Sequence, residues 1–188
     1  MIPPDKGELR RAARQTRREL QACAPDAGEQ AASLYPSASL GASRTAALYW
    51  PCGSEIDPRP LARRLADAGS RLCLPTVAAA GEALEFRLWA EDDGLAPDAL
   101  GLAAPVAGRP QITPELVVIP LLAFDSSGGR LGQGGGYYDR TLERLRAAGP
   151  VFALGLAYAG QEVARLPAEP HDQPLDAVLI ETGLRLFG

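Results

Sequence analysis

The strand, loop and helix between Glu115 and Ala148 constrain the fold of this chain more than any other stretch. ELVVI, Glu115 to Ile119, is a short continuous apolar run, the pattern of a strand covered on both faces. A loop follows in which six of the nine residues from Gly128 to Gly136 are glycine. YYDR comes next, and Tyr138 to Ala148 reads as a helix with Leu142 and Leu145 inward and Gly149 as its stop. Strand, loop and helix in that order belong to a mostly parallel sheet with helices on both faces. In such sheets ligands bind beyond the carboxyl ends of the strands, which is where the glycine loop stands.

The rest of the chain agrees. Asp5 to about Cys23 reads as a helix, preceded by Pro3 and Pro4 and capped by Asp5. Leu9, Ala13, Thr16 and Leu20 form an apolar stripe, and Lys6, Arg10, Arg14 and Arg17 form a basic one. At about 100° per residue the two rows lie about 60° apart, so the charges stand at the rim of whatever the helix packs on. A weaker helix within Pro25–Leu40 ends near Leu34, and RTAALYW, Arg44 to Trp50, reads as a buried strand. Pro51–Asp57 reads as a loop, Pro58–Ala68 as a helix closed by Gly69, and Arg71–Pro75 as a strand. EFRLW, Glu85 to Trp89, alternates like an antiparallel or edge strand, and Glu91–Pro114 lacks periodicity and reads as a long loop. Val151–Leu156 and Ala177–Ile180 complete the strands. The expectation is an α/β fold with an open, mostly parallel sheet in a single three-layer domain spanning residues 1–188.

Composition narrows the function classes. The net charge of −4 argues against a dedicated nucleic-acid binder. No run approaches the ~20 apolar residues of a membrane span, and the N-terminus lacks the apolar core of a secretory signal. Cys23, Cys52 and Cys73 form no CxxC pair and read as reduced, structural cysteines of a cytoplasmic protein. The single histidine, His171, reads as a loop residue. Nothing in the sequence demands a partner chain, so a monomer is expected.

The glycine loop fits neither familiar phosphate motif. It has no lysine for a P-loop, and Gly132, Gly134 and Gly136 give GxGxG, followed by tyrosine, rather than GxGxxG. Two readings remain from the residues. One is a flexible solvated turn. The other is an anion cradle, in which glycines let backbone amides converge, the following helix aims its positive end into the loop, and Arg130 and Arg140 add charge. The position between a buried strand and a helix favours the cradle. Asp139 is either an acid placed by the helix dipole or a ligand of Mg²⁺ facing bound phosphates.

PLLAFDSSGGRLGQGGGYYDR, Pro120 to Arg140, strongly resembles the signature of the 5-formyltetrahydrofolate cyclo-ligase family, approximately P-G-L-A-F-D, a variable stretch, then R-L-G-x-G-x-G-Y-Y-D. KGELR at Lys6–Arg10, SEID at Ser54–Asp57 and HDQPLDAVL at His171–Leu179 resemble the family's other elements in order, so the similarity covers essentially the whole chain. The resemblance implies ATP- and Mg²⁺-dependent cyclisation of 5-formyltetrahydrofolate to 5,10-methenyltetrahydrofolate. ATP phosphorylates the formyl oxygen, N10 attacks the activated carbon, and phosphate leaves.

The resemblance also implies roles. Lys6, Arg10 and the segment Arg130, Leu131, Gly132, Gln133, Gly134, Gly135, Gly136, Tyr137 and Tyr138 would contact ATP. Residues 133–137 would share that loop with the folate. Arg130 and Tyr137 would be catalytic, the latter as a ring contact near the formyl group. Asp139 and Asp172 would hold Mg²⁺. Glu55 would hold the pterin, a carboxylate suiting its N–H edge, and Trp50 would contact substrate. Each has a plainer reading: a solvated helix face for Lys6 and Arg10, a helix-start acid for Glu55, core for Trp50, a loop acid for Asp172. Arg14 and Arg17 carry no such match and read as surface charges.

Four departures from the pattern are visible. Gln133 stands where the family often has arginine, and Gly135 where some members have lysine. Leu121 replaces a glycine, a change expected to shift the backbone before the loop, and Pro58 replaces a threonine. The loss of charge at Gln133 bears on ATP affinity. Two other functions fit the same features: an ATP-dependent enzyme on another formyl or pterin-like compound, and a non-catalytic nucleotide- or RNA-binding module using the basic N-terminal helix.

Overall fold

A computed structural model describes residues 5–36 and 44–188 of the chain. Pro3, Pro4 and the end of the Ala- and Ser-rich stretch, residues 37–40, lie outside the described residues.

Seven strands form the main sheet. In chain order they are β1 (Thr45–Ala47), β2 (Arg71–Thr76), β3 (Glu85–Leu88), β6 (Leu116–Pro120), β9 (Phe152–Leu156), β10 (Ala177–Ile180) and β11 (Gly183–Leu186). Two short hairpins account for the rest: β4 (Leu95–Pro97) with β5 (Ala103–Pro105), and β7 (Ala123–Phe124) with β8 (Arg130–Leu131). Across the sheet the order is β11-β10-β9-β6-β1-β2-β3. The five central strands run parallel, and β3 and β11 close the two edges antiparallel.

The helices are α1 (Lys6–Cys23), α2 (Ala27–Leu34), α3 (Arg59–Asp67) and α4 (Tyr137–Ala148). Asp5 caps α1 by accepting from the Gly7 amide at 3.2 Å. Asp57 performs the equivalent service for α3, accepting from the Arg59 amide at 2.9 Å. One core joins α2 and α3 to one face of the sheet through Ala31, Leu61, Leu65, Leu74, Val118 and Leu154. The other joins α4 to the opposite face through Leu142, Leu145, Val117, Ile119 and Val178. β6 contributes alternate residues to both, which is why LVVI reads as one unbroken apolar run.

The connection β1–α3–β2 runs outward on one side of the sheet, and β6–α4–β9 runs outward on the other. The direction of winding reverses between the neighbours β1 and β6. A crevice opens at the carboxyl ends of strands wherever this happens. The segment after β1 carries Trp50 and Glu55, and the segment after β6 carries the glycine loop, so the switch point brings the two together.

Several sequence expectations need correction. The ladder of β1 covers only Thr45–Ala47 rather than Arg44–Trp50, although Leu48 and Tyr49 remain buried. The segment Glu91–Pro114 is not a plain loop but contains β4 and β5, organised by Asp98, whose carboxylate accepts from the amides of Val77, Leu100 and Leu102. Strands of three residues containing proline carry no alternation to read. β11 was not expected; a two-residue connection after Ile180 folds it back on β10. Thr16 is exposed rather than part of the apolar seam. Of the three free cysteines only Cys73 lies in the core, where burial pushes its thiol up to about 12, and Cys23 and Cys52 are exposed.

Candidate active site

The glycine loop is held at its base by a buried carboxylate. Asp125, 3% exposed, accepts from the Ser127 amide and hydroxyl, the Gly129 amide and the Leu166 amide at 2.6 to 3.0 Å. Burial alone would raise its pKa, but these hydrogen bonds outweigh burial and hold it below the usual carboxylate range. β7 and β8 then pair, and Leu131 packs inward beside Leu9 and Ala13 of α1. The side chain of Leu131 therefore serves the core, and only its backbone faces the loop.

Beyond Leu131 the chain needs glycine. Gly134 has φ +104° and Gly136 φ +65°, and a Cβ on Gly136 would lie 2.6 Å from Arg140 Nη1. Gly136 precedes the first turn of α4, whose free amides face the loop. The helix begins at Tyr137, as an anion cradle requires.

The middle of the basic stripe of α1 touches this loop, and its two ends reach other segments. Lys6 Nζ lies 3.2 Å from Asp172 and 3.1 Å from Glu169. Arg10 Nε donates to the Gly132 carbonyl at 3.1 Å, and Arg14 Nε to the Gln133 side-chain oxygen at 2.9 Å. Arg14, expected as a surface charge, is thus a partner of the loop at Gln133. Arg17, also expected on the surface, is buried at 5% exposure. It donates to Ser54 Oγ (3.1 Å) and the Leu121 carbonyl (3.2 Å) and pairs with Glu55 Oε1 (3.5 Å).

Arg130 lies on the other wall with its side chain 6% exposed, 2.6 Å from Asp139 Oδ1. Its Nη1 is buried and has no hydrogen-bond partner among the described residues. Burial lowers its pKa, and the nearby charges of Asp139 and Asp172 oppose that shift. The two acids are neighbours, since the Gln173 amide also donates to Asp139 Oδ1 at 3.1 Å. Glu169, His171 and Asp172 place ligand atoms within 4.8 Å of one another. Glu169 was missed in the sequence, where nothing marks it among the loop residues.

Tyr138 is half-buried, with the charges of Glu55 and Arg130 acting on it, and burial pushes its hydroxyl well above the usual range. It stays protonated, as a hydrogen-bond donor. Tyr137 carries the Arg140 guanidinium 5.2 Å from its ring centre and accepts from the Gly81 amide at 3.4 Å. Arg140 bends back to the Gly135 carbonyl at 2.7 Å. Glu55, its side chain 10% exposed, accepts the Cys52 amide at 3.0 Å on its other oxygen. Burial raises its pKa, and Cys52 and Arg17 pull the other way. Trp50 is half-buried at the edge of the core, edge-on to Trp89 at 6.0 Å and beneath Arg59 at 5.6 Å. Leu121 is buried and has no positive φ.

Fold and site together define an α/β protein with a glycine loop and a set of paired basic and acidic side chains at the switch point of an open sheet. Residues 3–181 match the model of the 5-formyltetrahydrofolate cyclo-ligase family, and the chain belongs to that family. It is 33% identical over 190 residues to a 5-formyltetrahydrofolate cyclo-ligase of Mycolicibacterium smegmatis, covering 95% of each chain. It is 35% identical over 161 residues to the Escherichia coli K12 protein of the same name, covering 81% of this chain and 86% of that one. The solved structure of Aquifex aeolicus 5,10-methenyltetrahydrofolate synthetase superposes with a TM-score of 0.74 at 29% identity, over 96% of this chain and 92% of that one.

Proposed function

We propose that this chain converts 5-formyltetrahydrofolate to 5,10-methenyltetrahydrofolate at the expense of ATP. Family membership supports the reaction. The single observation that carries the site is Arg130: a buried guanidinium with an unpartnered nitrogen, beside the free amides of α4 and the glycine loop. A buried donor left unpaired costs about 1–3 kcal/mol, and a phosphate oxygen is the acceptor that suits it.

The formyl oxygen of the substrate attacks the terminal phosphorus of ATP, and ADP leaves. N10 then donates its electron pair to the activated formyl carbon and closes the five-membered ring. The carbon–oxygen bond breaks, inorganic phosphate departs, and the N10 proton passes to solvent or phosphate. Phosphoryl transfer asks the protein for positioning and charge neutralisation rather than a nucleophile. Amides of residues 132–136 with Lys6, Arg10 and Arg130 meet the phosphates, and Arg14 brings a cation beside the neutral Gln133. Glu55 accepts from the pterin N–H edge, Trp50 borders that site, and Tyr137 lies against the reacting group. Tyr138 donates from the wall between them.

Asp139 and Asp172 fit a hard divalent cation, since both are carboxylates beside the cradle and Mg²⁺ favours one or two such ligands with phosphate oxygens. Mg²⁺ there would neutralise charge on the transferring phosphate. Asp139 is shared with Arg130 and Asp172 with Lys6, so the acids are held ready by cations that the phosphates would engage. Monomeric state and a cytoplasmic setting complete the reading; among the described residues no helix is long and apolar enough to cross a membrane. The test is the absorbance of methenyltetrahydrofolate formed from 5-formyltetrahydrofolate, with and without ATP and Mg²⁺. Folded protein that gives none in the full mixture refutes the reading.

A further inference from the structure

A buried guanidinium is costly unless its donors are met and its charge is paired. Arg17 meets that demand from three directions. It comes from α1 and reaches Ser54 and Glu55 in the segment after β1, and the Leu121 carbonyl at the root of the segment after β6. Those segments follow the two neighbouring strands at the switch point. Leu121 is also fixed by Gln161 Nε2, which donates to its carbonyl at 2.8 Å, so Arg17 leans on a rigid point. The planar fork of arginine suits such a task, because one rigid group sets the angle between several acceptors.

We propose that Arg17 is a positioning residue for substrate binding, which holds the Glu55 carboxylate in plane and ionised for the pterin. This rests on the proposed cyclo-ligase reading. Glu55 Oε2 accepts from the Cys52 amide at 3.0 Å and Oε1 is paired with Arg17 at 3.5 Å, so a hydrogen bond on one oxygen and a cation beside the other restrain the carboxyl group. Arg17 of α1 and the Cys52 amide favour its ionised form. Tyr49 after β1 and Tyr138 of α4 feel the Glu55 charge and stand near it as neutral hydroxyls, and Arg130 also acts on Tyr138. Arg17 is the one cation paired with Glu55 among the described residues. Burial already pushes Glu55 toward protonation, and a protonated carboxyl loses the paired acceptors that two parallel N–H groups need.

The experiment is steady-state kinetics of the full chain with Arg17→Gln, Arg17→Lys, Glu55→Gln and the Arg17→Gln/Glu55→Gln pair. Arg17→Gln is expected to raise KM for 5-formyltetrahydrofolate about tenfold while kcat and KM for ATP change by less than about threefold. In that variant the folate KM is expected to fall more steeply with rising pH than in the wild type, because Glu55 has lost the cation that opposes the effect of burial. Arg17→Lys restores the wild-type profile. In the Glu55→Gln background Arg17→Gln adds no pH dependence and little further loss.

An unchanged folate KM in folded Arg17→Gln overturns the proposal, as does an equal rise in the KM for ATP or effects that multiply in the double variant. Should Arg17→Gln not fold, Arg17→Lys decides: a severalfold rise confined to the folate KM supports the role, and none, or an equal rise for ATP, overturns it. An inactive wild type overturns the cyclo-ligase reading and this inference with it. An active wild type with a folate-selective Glu55→Gln and silent Arg17 variants overturns this inference alone.

Discussion

Asp125→Asn isolates the device that holds the glycine loop. In the wild type Oδ1 accepts from the Ser127 amide, the Ser127 hydroxyl and the Gly129 amide, and Oδ2 accepts from the Leu166 amide at 2.9 Å. Asparagine keeps one oxygen for the first three donors but without charge, and a neutral acceptor is worth about 1 kcal/mol less per bond than an ionised one. Its NH₂ then faces the Leu166 amide, donor against donor, which strands a buried N–H at about 1–3 kcal/mol. Some of this is offset because a neutral side chain is cheaper to bury. A net loss of about 3 kcal/mol is expected, a fall in Tm of roughly 6–12 °C for a chain of this size. Urea unfolding measures it directly. The pH dependence supplies a second reading. The folded pKa of Asp125 is depressed, so its contribution is present above the unfolded carboxylate value near 3.9 and is lost as pH falls through the folded pKa. The gap between wild type and variant should therefore be full at pH 7 and close below about pH 4. A gap below about 1 kcal/mol at pH 7, or one that does not close in acid, would refute the account of a charged carboxylate holding this loop.

Asp139→Asn preserves the shape beside Arg130 but removes a charge; turnover should fall at least about 100-fold with the circular dichroism spectrum unchanged, and a variant with full turnover at ordinary Mg²⁺ would deny Asp139 a metal role. Gly136→Ala forces φ +65° on a residue with a Cβ placed 2.6 Å from Arg140 Nη1; about 1–3 kcal/mol of stability and a raised KM for ATP are expected, and a silent substitution would mean that the loop tolerates another conformation. Glu55 has a raised folded pKa, so its sign is opposite to that of Asp125: its contribution to stability is greatest below the unfolded value near 4.3 and declines as pH rises through the folded pKa. Melting temperatures of wild type and Glu55→Gln between about pH 4 and 7 should show the wild type losing ground with rising pH; the reverse slope would contradict the burial of this carboxylate.

Local chemistry alone reached far in this chain. LVVI on two covered faces, the cap at Asp5, the start of α4 behind Gly136 and the antiparallel edge at EFRL follow from periodicity and capping, which depend on neighbours in sequence. The YYD motif carried the family. The basic row Lys6, Arg10, Arg14 and Arg17 was visible as a row, but the fates of its members were not, because a stripe states which residues share a helix face and not what packs against it. The tertiary structure turned Arg14 onto Gln133 and sank Arg17 among Ser54, Glu55 and Leu121. It also decided that β6 lies beside β1, which no local pattern encodes because strand order depends on long-range pairing. Likewise β4 and β5 are too short and proline-rich to show alternation and exist through pairing with each other, and β11 takes its place through β10. The sequence by itself thus determined the strand, glycine loop and helix in series and the charges around them. Only the fold determined that the segment bearing Glu55 and the segment leading to the glycine loop lie side by side, because that adjacency joins stretches far apart in the chain through a buried arginine from a third.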